Sequence, residues 1–554
     1  MTSAASEETG TKQLSGTTAG VLIRTLMDGG VRDIFALPGI QNDELFDALH
    51  GANGLRTIHT RHEQGAAYMA TGYAMATGRP GVYAVVPGPG FLNTTGALTT
   101  AFGCSAPVLA LVGQIKSSMI GRGAGLLHEI PDQIGVMRQF TKWAGQVRSP
   151  ADAAPMAAEA LRQLAGAPFR PVGLECPMDV WGRRGVSVRP EPRNPDPTAI
   201  DPDAVLAAVK LLGAAKRPLI VVGAGALEAG EEVREIAHML QAPVTANRMG
   251  SGVVSDRDPL SIDPVTGHIL WGSADVVLAI GTRLQLQLMD WGNDPDLKVV
   301  RIDADATQID RLAAPAVGLV GDARPILRAL INSLPAYNSR RSRDEEIADA
   351  RGCAQERLSV FGPQIAYLDA IRAELPDDGI FVDEMTQVAY VSRAAFPVYK
   401  PRTFLSPGYQ GTLGWGMAAA LGAQVARPGA KVVSVIGDGG FMFNVQELAT
   451  AVQHGIPLVT ILFNNGAYGN VQRIQDDVYG GRRIGSDLRN PDFVRLAECF
   501  GACAMRATTP EALRGSLRQA FKEAGPVLIE VPVGEMPDPW AVLHYRPSRP
   551  SRPV

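Results

Sequence analysis

The chain has 554 residues, of which 46% are apolar and 19% charged, and a net charge of −4. That length predicts about three or four domains with ample material for buried cores. The lack of a basic excess or of basic–aromatic interleaving argues against a nucleic-acid partner. Cys104, Cys176, Cys353, Cys499 and Cys503 are odd in number, scattered and without metal-ligand spacing. They fit a reducing, cytoplasmic setting better than a disulfide framework.

Residues 1–16, polar and acidic, lack the pattern of a secretion signal and read as a disordered tail. No apolar run reaches the roughly 18 residues of a membrane helix, so no membrane partner is expected. From 17 to 188 short helices alternate with apolar strands ending at Gly or Pro, as in VRDIFALPG, GVYAVVPGPG and PVLALVGQI. This is doubly wound α/β texture. Within it, TIHTRHEQGAAYMATGYAMATG places Glu63 at a strand-to-helix junction, before a helix of small residues suited to close packing. A carboxylate there either caps the helix N-terminus or serves chemistry.

The proline-rich RPEPRNPDP ends this domain, and a second α/β domain over 200–335 follows with strands RPLIVVGAGA, ADVVLAIGT and KVVRIDAD. Its GAG is a tight strand-to-helix turn, only a fragment of a dinucleotide fingerprint. The polar NSRRSRDEEIADARG bridges to a third α/β domain over 360–537, and the proline-rich, basic 538–554 reads as a C-terminal tail.

The third domain holds the most informative stretch, KVVSVIGDGGFMFNVQELATAVQHGIPLVTILFNNGAYGNVQ, from Lys431 to Gln472. The β-branched run to Ile436 predicts a strand. Gly437-Asp438-Gly439-Gly440 predicts a turn with positive φ or close backbone approach. Val445, Leu448, Ala449 and Val452 then predict a helix ended by His454-Gly455, and Leu458 to Phe463 a second strand. In this βαβ unit Asp438 and Asn465 emerge at the same carboxyl edge, beside a helix N-terminus suited to pyrophosphate. One carboxylate, an amide oxygen and backbone carbonyls make an oxygen site for Mg2+.

GDG followed after a helix and a strand by NN resembles the thiamine-diphosphate (ThDP) enzymes, in an order of three α/β domains that covers nearly the whole chain. The resemblance implies a pyrimidine-binding, a central and a diphosphate-binding domain. It implies that Asp438, Asn465 and the carbonyl of Ala467 hold Mg2+, and that Gly437, Gly439, Gly440 and Gln387 lie along the diphosphate. Glu63 becomes the catalytic glutamate at N1′ of the aminopyrimidine, its pKa raised by burial among apolar groups. In SPGYQGTLGWGMAAALGA, Gly411 offers a carbonyl to the cofactor and Leu413 wedges it into a bent form. The thiazolium ylide of this cofactor attacks a carbonyl and stores the electrons of the broken carbon–carbon bond.

Within the family, QRIQDDVYGGRRIGSDLRNPDFVRLAECFGA and GLLHEIPDQIGVMRQFTKWA are similar to acetolactate synthases and to benzaldehyde lyase-like carboligases. Gln287, in GTRLQLQ, stands where acetolactate synthases place an arginine for the acceptor carboxylate, and Asn470 and Ile474 replace Met and Trp. The same stretch weighs against FAD. His128 falls where relatives carry an active-site glutamine, as a proton relay or as an ordinary bonded histidine, and Gln41 is a second pocket candidate.

The reading is a ThDP- and Mg-dependent carbon–carbon lyase or carboligase acting on a 2-oxo acid or acyloin, not a strict acetolactate synthase. The alternatives are a non-ligating 2-oxo acid decarboxylase and a catalytically idle ThDP-binding paralogue. By resemblance it is a homodimer or homotetramer with its active site at a subunit interface.

Overall fold

The computed structural model describes residues 12–191, 198–338 and 342–550, which fall into two compact units. The first runs to residue 196, apart from 75–77, and the second comprises the rest.

In the first unit β1 (Lys12–Thr17) and β8 (Arg184–Arg189) form an antiparallel ribbon. Part of the expected N-terminal tail is therefore strand: residues 12–16 are ordered by this ladder, and 1–11 lie outside the described residues. Between them run β2 (Asp33–Ala36), β3 (Arg56–His59), β4 (Gly81–Val85), β5 (Val108–Gln114), β6 (Trp143–Gln146) and β7 (Val172–Pro177). They make one parallel sheet in the order β3-β2-β4-β5-β7-β6. Every residue of β4, β5 and β7 is buried, as continuous apolar runs in a sheet covered on both faces require.

The second unit holds two more parallel six-stranded sheets. The central one has β9 (Pro218–Val222), β10 (Val244–Ala246), β11 (Ser261–Ile262), β12 (Val276–Ile280), β13 (Lys298–Asp303) and β14 (Val317–Val320) in the order β11-β10-β9-β12-β13-β14. The other has β15 (Ile380–Asp383), β16 (Phe404–Leu405), β17 (Val432–Gly437), β18 (Val459–Asn464), β19 (Cys503–Arg506) and β20 (Val527–Pro532) in the order β16-β15-β17-β18-β20-β19. The expected architecture of three doubly wound α/β sheets is the observed one. In each sheet the chain builds outward in one direction and then restarts on the other side of its first strand. Those switch points fall between β2 and β4, β9 and β12, and β15 and β17, and open α/β sheets bind ligands in the crevice at such points.

Three connections differ from the sequence reading. The polar bridge after the central domain is largely the helix Asp344–Leu358, whose Ile347, Ala350 and Ala354 are buried against neighbouring apolar side chains. Asp438–Phe441 is a separate four-residue helix, and the amphipathic helix begins only at Glu447.

The expected C-terminal tail is docked as far as residue 550. Tyr545 packs its ring 4.9 Å from His268 and 5.4 Å from Trp291. Arg549 pairs with Asp294 at 2.8 Å and donates to the carbonyls of Trp271 and Ala274. These contacts cover Trp271 and Trp291, both fully buried. Deleting residues 544–554 is expected to destabilise the second unit by about 2–4 kcal/mol and to red-shift tryptophan emission, through lost apolar burial and hydrogen bonds. Urea denaturation followed at the tryptophans checks this, and an unchanged midpoint refutes the anchor.

Candidate active site

At the switch point of the first unit, the loops after β2, β3 and β4 bring together residues far apart in sequence. Glu63 begins the helix Glu63–Thr77, whose Ala66, Ala67, Met69, Ala70 and Ala74 are fully buried. His62 caps that helix, its Nδ1 accepting from Gln64 N at 3.1 Å. The Glu63 side chain keeps 14% exposure, and Asn93 donates its amide to Oε2 at 3.0 Å. The expected burial among apolar groups is thus only partial within this unit, because the carboxyl opens to the crevice and meets an amide.

Gln41 and His128, separated by 86 positions in between, are hydrogen-bonded: Gln41 Oε1 lies 2.9 Å from His128 Nδ1. Gln41 donates its own N–H to Leu127 O at 3.1 Å, so its Oε1 accepts and Nδ1 of His128 carries the proton. In the neutral ring Nε2 then carries the lone pair. His128 adopts φ +67°, a left-handed conformation that a residue with a Cβ holds only when its surroundings impose it. Part of that imposition is Glu129, whose carboxylate accepts from Leu126 N at 2.9 Å and Ala124 N at 3.3 Å.

Gly88, at φ +56°, lies so close to the backbone of His128 that a Cβ there would overlap the His128 carbonyl. A Cβ on Gly90 would stand 3.5 Å from Glu63 Oε1, so the Gly88–Gly90 turn borders both groups. Below it, Gln133 accepts from Gly88 N and donates to Glu175, a buried carboxyl that also receives the amides of Gln114 and Gln146. Burial pushes the Glu175 carboxyl up, and the three amides pull it back. No sequence motif marks Asn93, Gln133 or Glu175.

At the switch point between β15 and β17, Asp438 is 2% exposed. Burial raises its pKa, while the Asn490 amide and the backbone N–H groups of Gly439 and Gly466 lower it. Asn490 donates to Asp438 Oδ2 at 2.6 Å and to Asn464 Oδ1 at 2.9 Å. Asn464 also donates to Glu530, so the first asparagine of the pair braces the strand end, and the exposed second, Asn465, faces outward. A Cβ on Gly469 would come within 2.7 Å of Asn465 Nδ2 and 3.9 Å of Gln387 Nε2, which places those two amides around one spot. Gln387 Oε1 is buried and has no hydrogen-bond partner among the described residues. Ala467 is bridged to Asp487 beside this cluster.

The glycines of GDGG are needed for close approach rather than for positive φ. Neither Gly437, Gly439 nor Gly440 has positive φ. A Cβ on Gly439 would overlap the ring of Tyr468, and one on Gly440 would overlap Glu384 Oε1, whereas one on Gly437 would find ordinary contact at 3.5 Å. Gly411, at φ +56°, does require the left-handed region, and Leu413 follows it half-buried. In the central domain Gln287 is 2% exposed and donates to Asn247 at 2.9 Å, so it faces the interior. Asn470 accepts from the indole N–H of Trp540 at 2.6 Å.

Glu384, fully buried, accepts from Gly414 N at 3.0 Å and from Gly416 N. Burial pushes its carboxyl up to about 8 against the pull of those two donors. A folded-state pKa above the unfolded one favours folding at low pH and loses that contribution as pH rises. From about pH 4.5 to about 8, this group is expected to lower the unfolding free energy as pH rises. Urea midpoints across that range should therefore fall more steeply for the unmodified protein than for Glu384→Gln, and equal slopes would contradict the assignment.

The chain matches the thiamine pyrophosphate enzyme N-terminal TPP binding domain over residues 16–136, the central domain over 205–330 and the C-terminal TPP binding domain over 384–531. It is 35% identical to a probable 2-ketoarginine decarboxylase of Pseudomonas aeruginosa, over 93% of this chain and 94% of the relative. It is 32% identical to the acetolactate synthase isozyme 3 large subunit of Escherichia coli, over 92% and 93%. A probable acetolactate synthase large subunit of Methanocaldococcus jannaschii is 33% identical, over 93% and 91%.

The residues present fit such a cofactor. Among the described residues no group of three or more His, Cys, Asp and Glu side chains gathers to hold a metal. A cation at Asp438 would thus rely on one carboxylate with amide and backbone oxygens, a hard donor set suited to Mg2+. The buried Asp438 carboxylate and the orphaned Gln387 oxygen are acceptors that a cation would satisfy, and the Gln387 amide N–H is the group that could donate to a diphosphate. No helix among the described residues is long and apolar enough to cross a membrane.

Proposed function

Because this chain belongs to the thiamine pyrophosphate enzymes and is a ThDP-dependent enzyme of the decarboxylase and carboligase kind, we propose that it cleaves the carboxylate from a 2-oxo acid with Mg2+ as second cofactor. The observation that carries this reading is the pair of half sites at switch points: Glu63, Gln41 and His128 on one sheet, Asp438, Asn465 and Gln387 on another. Bound ThDP supplies an electron sink for the carbon–carbon bond that breaks.

Asp438, Asn465 and the Ala467 carbonyl would hold Mg2+, and Gln387 and the Gly437–Gly440 turn would line the diphosphate. Gly411 and Leu413 would carry the pyrimidine half. The Glu63 carboxyl holds a proton at N1′ of that ring, oriented by the Asn93 amide. His128 Nε2, which carries the lone pair in the neutral ring bonded to Gln41, exchanges a proton with the substrate oxygen. We assign the final acceptor as a proton or an aldehyde rather than a second 2-oxo acid. Gln287, turned inward, supplies no cation at its own position for a second carboxylate. The guanidino 2-oxo acid in the name of the Pseudomonas relative is the first substrate to try. FAD has no part in this reading, and the working unit is a dimer or tetramer in which the two kinds of half site meet between subunits.

With ThDP and Mg2+ present, carbon dioxide release from a panel of 2-oxo acids that includes guanidino and aliphatic members is expected for at least one, with product identity read by mass. Glu63→Gln should lose at least about 100-fold in rate while still binding ThDP. A rate equal to that of the unmodified protein would remove Glu63 from the mechanism. Asp438→Ala should abolish Mg-dependent ThDP binding in a calorimetric titration, and unchanged affinity would refute the cradle.

A further inference from the structure

Gly414 is held at both ends of its backbone. Its N–H goes to Glu384 Oε1, and its carbonyl accepts from Asn444 Nδ2 at 2.7 Å. The other oxygen of Glu384 takes the N–H of Gly416, in the first turn of the helix Trp415–Ala426. Glu384 is 0% and Asn444 1% exposed. Gly414 has φ +78°, and a Cβ there would lie 2.7 Å from Phe443 and 2.8 Å from Asn444 Nδ2, so the grip also demands glycine.

A buried carboxyl is an expensive way to satisfy two backbone N–H groups, since a Ser, Thr or Asp N-cap on the helix itself does so at its surface. What a cap cannot do is join separate elements. Glu384 leaves the end of β15 and touches Gly440 of the GDGG turn after β17. Asn444 follows the same turn, five residues past Gly439. Both therefore tie the turn Gly411–Leu413, which immediately precedes Gly414, to the segment that carries Asp438. Among the described residues, neither side chain is hydrogen-bonded to Asp438, Asn465 or Leu413.

We propose that Glu384 and Asn444 are positioning residues that fix the Leu413 turn against the Asp438 cradle, and so set where the pyrimidine half of the cofactor lies relative to its diphosphate. This rests on the functional reading above. The clamp acts on one half of the ligand only. Its loss leaves the diphosphate and cation end intact and misplaces the wedge.

Calorimetric titration of the full chain with Mg-ThDP and, separately, with Mg-pyrophosphate tests it. Glu384→Gln, which puts an amide N–H against a backbone N–H, should weaken Mg-ThDP by about tenfold or more and leave Mg-pyrophosphate within about twofold. Asn444→Ala, which releases Gly414 from the other side, should do the same and decides the matter if Glu384→Gln fails to fold. Adding Leu413→Ala to either variant should cost little further, because both changes act through the turn. Equal losses for the two ligands, or full additivity with Leu413→Ala, would overturn the clamp. Asp438→Ala separates the two readings. It should weaken both ligands, and if it weakens neither, the cradle itself is wrong and the clamp falls with it. If it does so while Glu384→Gln and Asn444→Ala bind Mg-ThDP normally, only the clamp is refuted.

Discussion

A parallel sheet whose strand order reverses leaves two adjacent strands whose following loops part in opposite directions, and the cleft between those loops is where this chain places its chemistry. In the first unit the cleft lies between β2 and β4, and Gln41, Glu63 and Gly88 sit three to five residues beyond strand ends. Between β15 and β17 the same rule places Glu384, Gln387 and Asp438. Strands buried on both faces hold these loop origins rigidly, because close-packed interiors resist small displacements. At the central switch point the crevice is closed by its own backbone, since Cβ atoms on Gly223, Gly225 or Gly281 would each collide with the opposing loop.

Beside each of these clefts, one buried carboxyl is held by neutral donors rather than by a cation. Glu175 receives three glutamine amides, and Glu384 two backbone N–H groups. A carboxyl kept from water without a counter-charge is costly, and its directional bonds are what it gives in return. Each such group is tied to a glycine turn that borders a cleft, Glu175 to Gly88 through Gln133, and Glu384 to Gly414 directly. Rigid backbone at these turns supplies the pre-organisation that a bent, charged cofactor requires.

Asn470, a position expected to differ from acetolactate synthases, is also engaged in packing. Asn470 is engaged by Trp540 from the C-terminal segment, and Trp540 stacks on His544 and lies against Tyr390. Arg473, one turn along the same helix, lies 3.1 Å from Asp538. The segment after the third sheet thus contacts the helix Gly469–Asp477 that follows the paired asparagines.

The sequence by itself determined the three α/β domains, because apolar runs ending at Gly or Pro fix strands and their turns locally. It also made the βαβ unit around Asp438 legible, since a strand, a turn and the next strand lie within forty residues and leave little choice of topology. It named Asn465 but gave no part to Asn464, whose bracing of the strand end only the contacts with Asn490 and Glu530 reveal. Nor could it show that the GDGG glycines make room for Tyr468 and Glu384, or that Gln41 sets the tautomer of His128. The docked C-terminal segment was equally hidden, its prolines and arginines being the composition of a loose tail. These were decided by tertiary structure for one reason. Local propensity acts over a few residues, whereas an amide, a carboxyl or an arginine acquires its role only from whichever distant group the fold brings within about 3 Å of it.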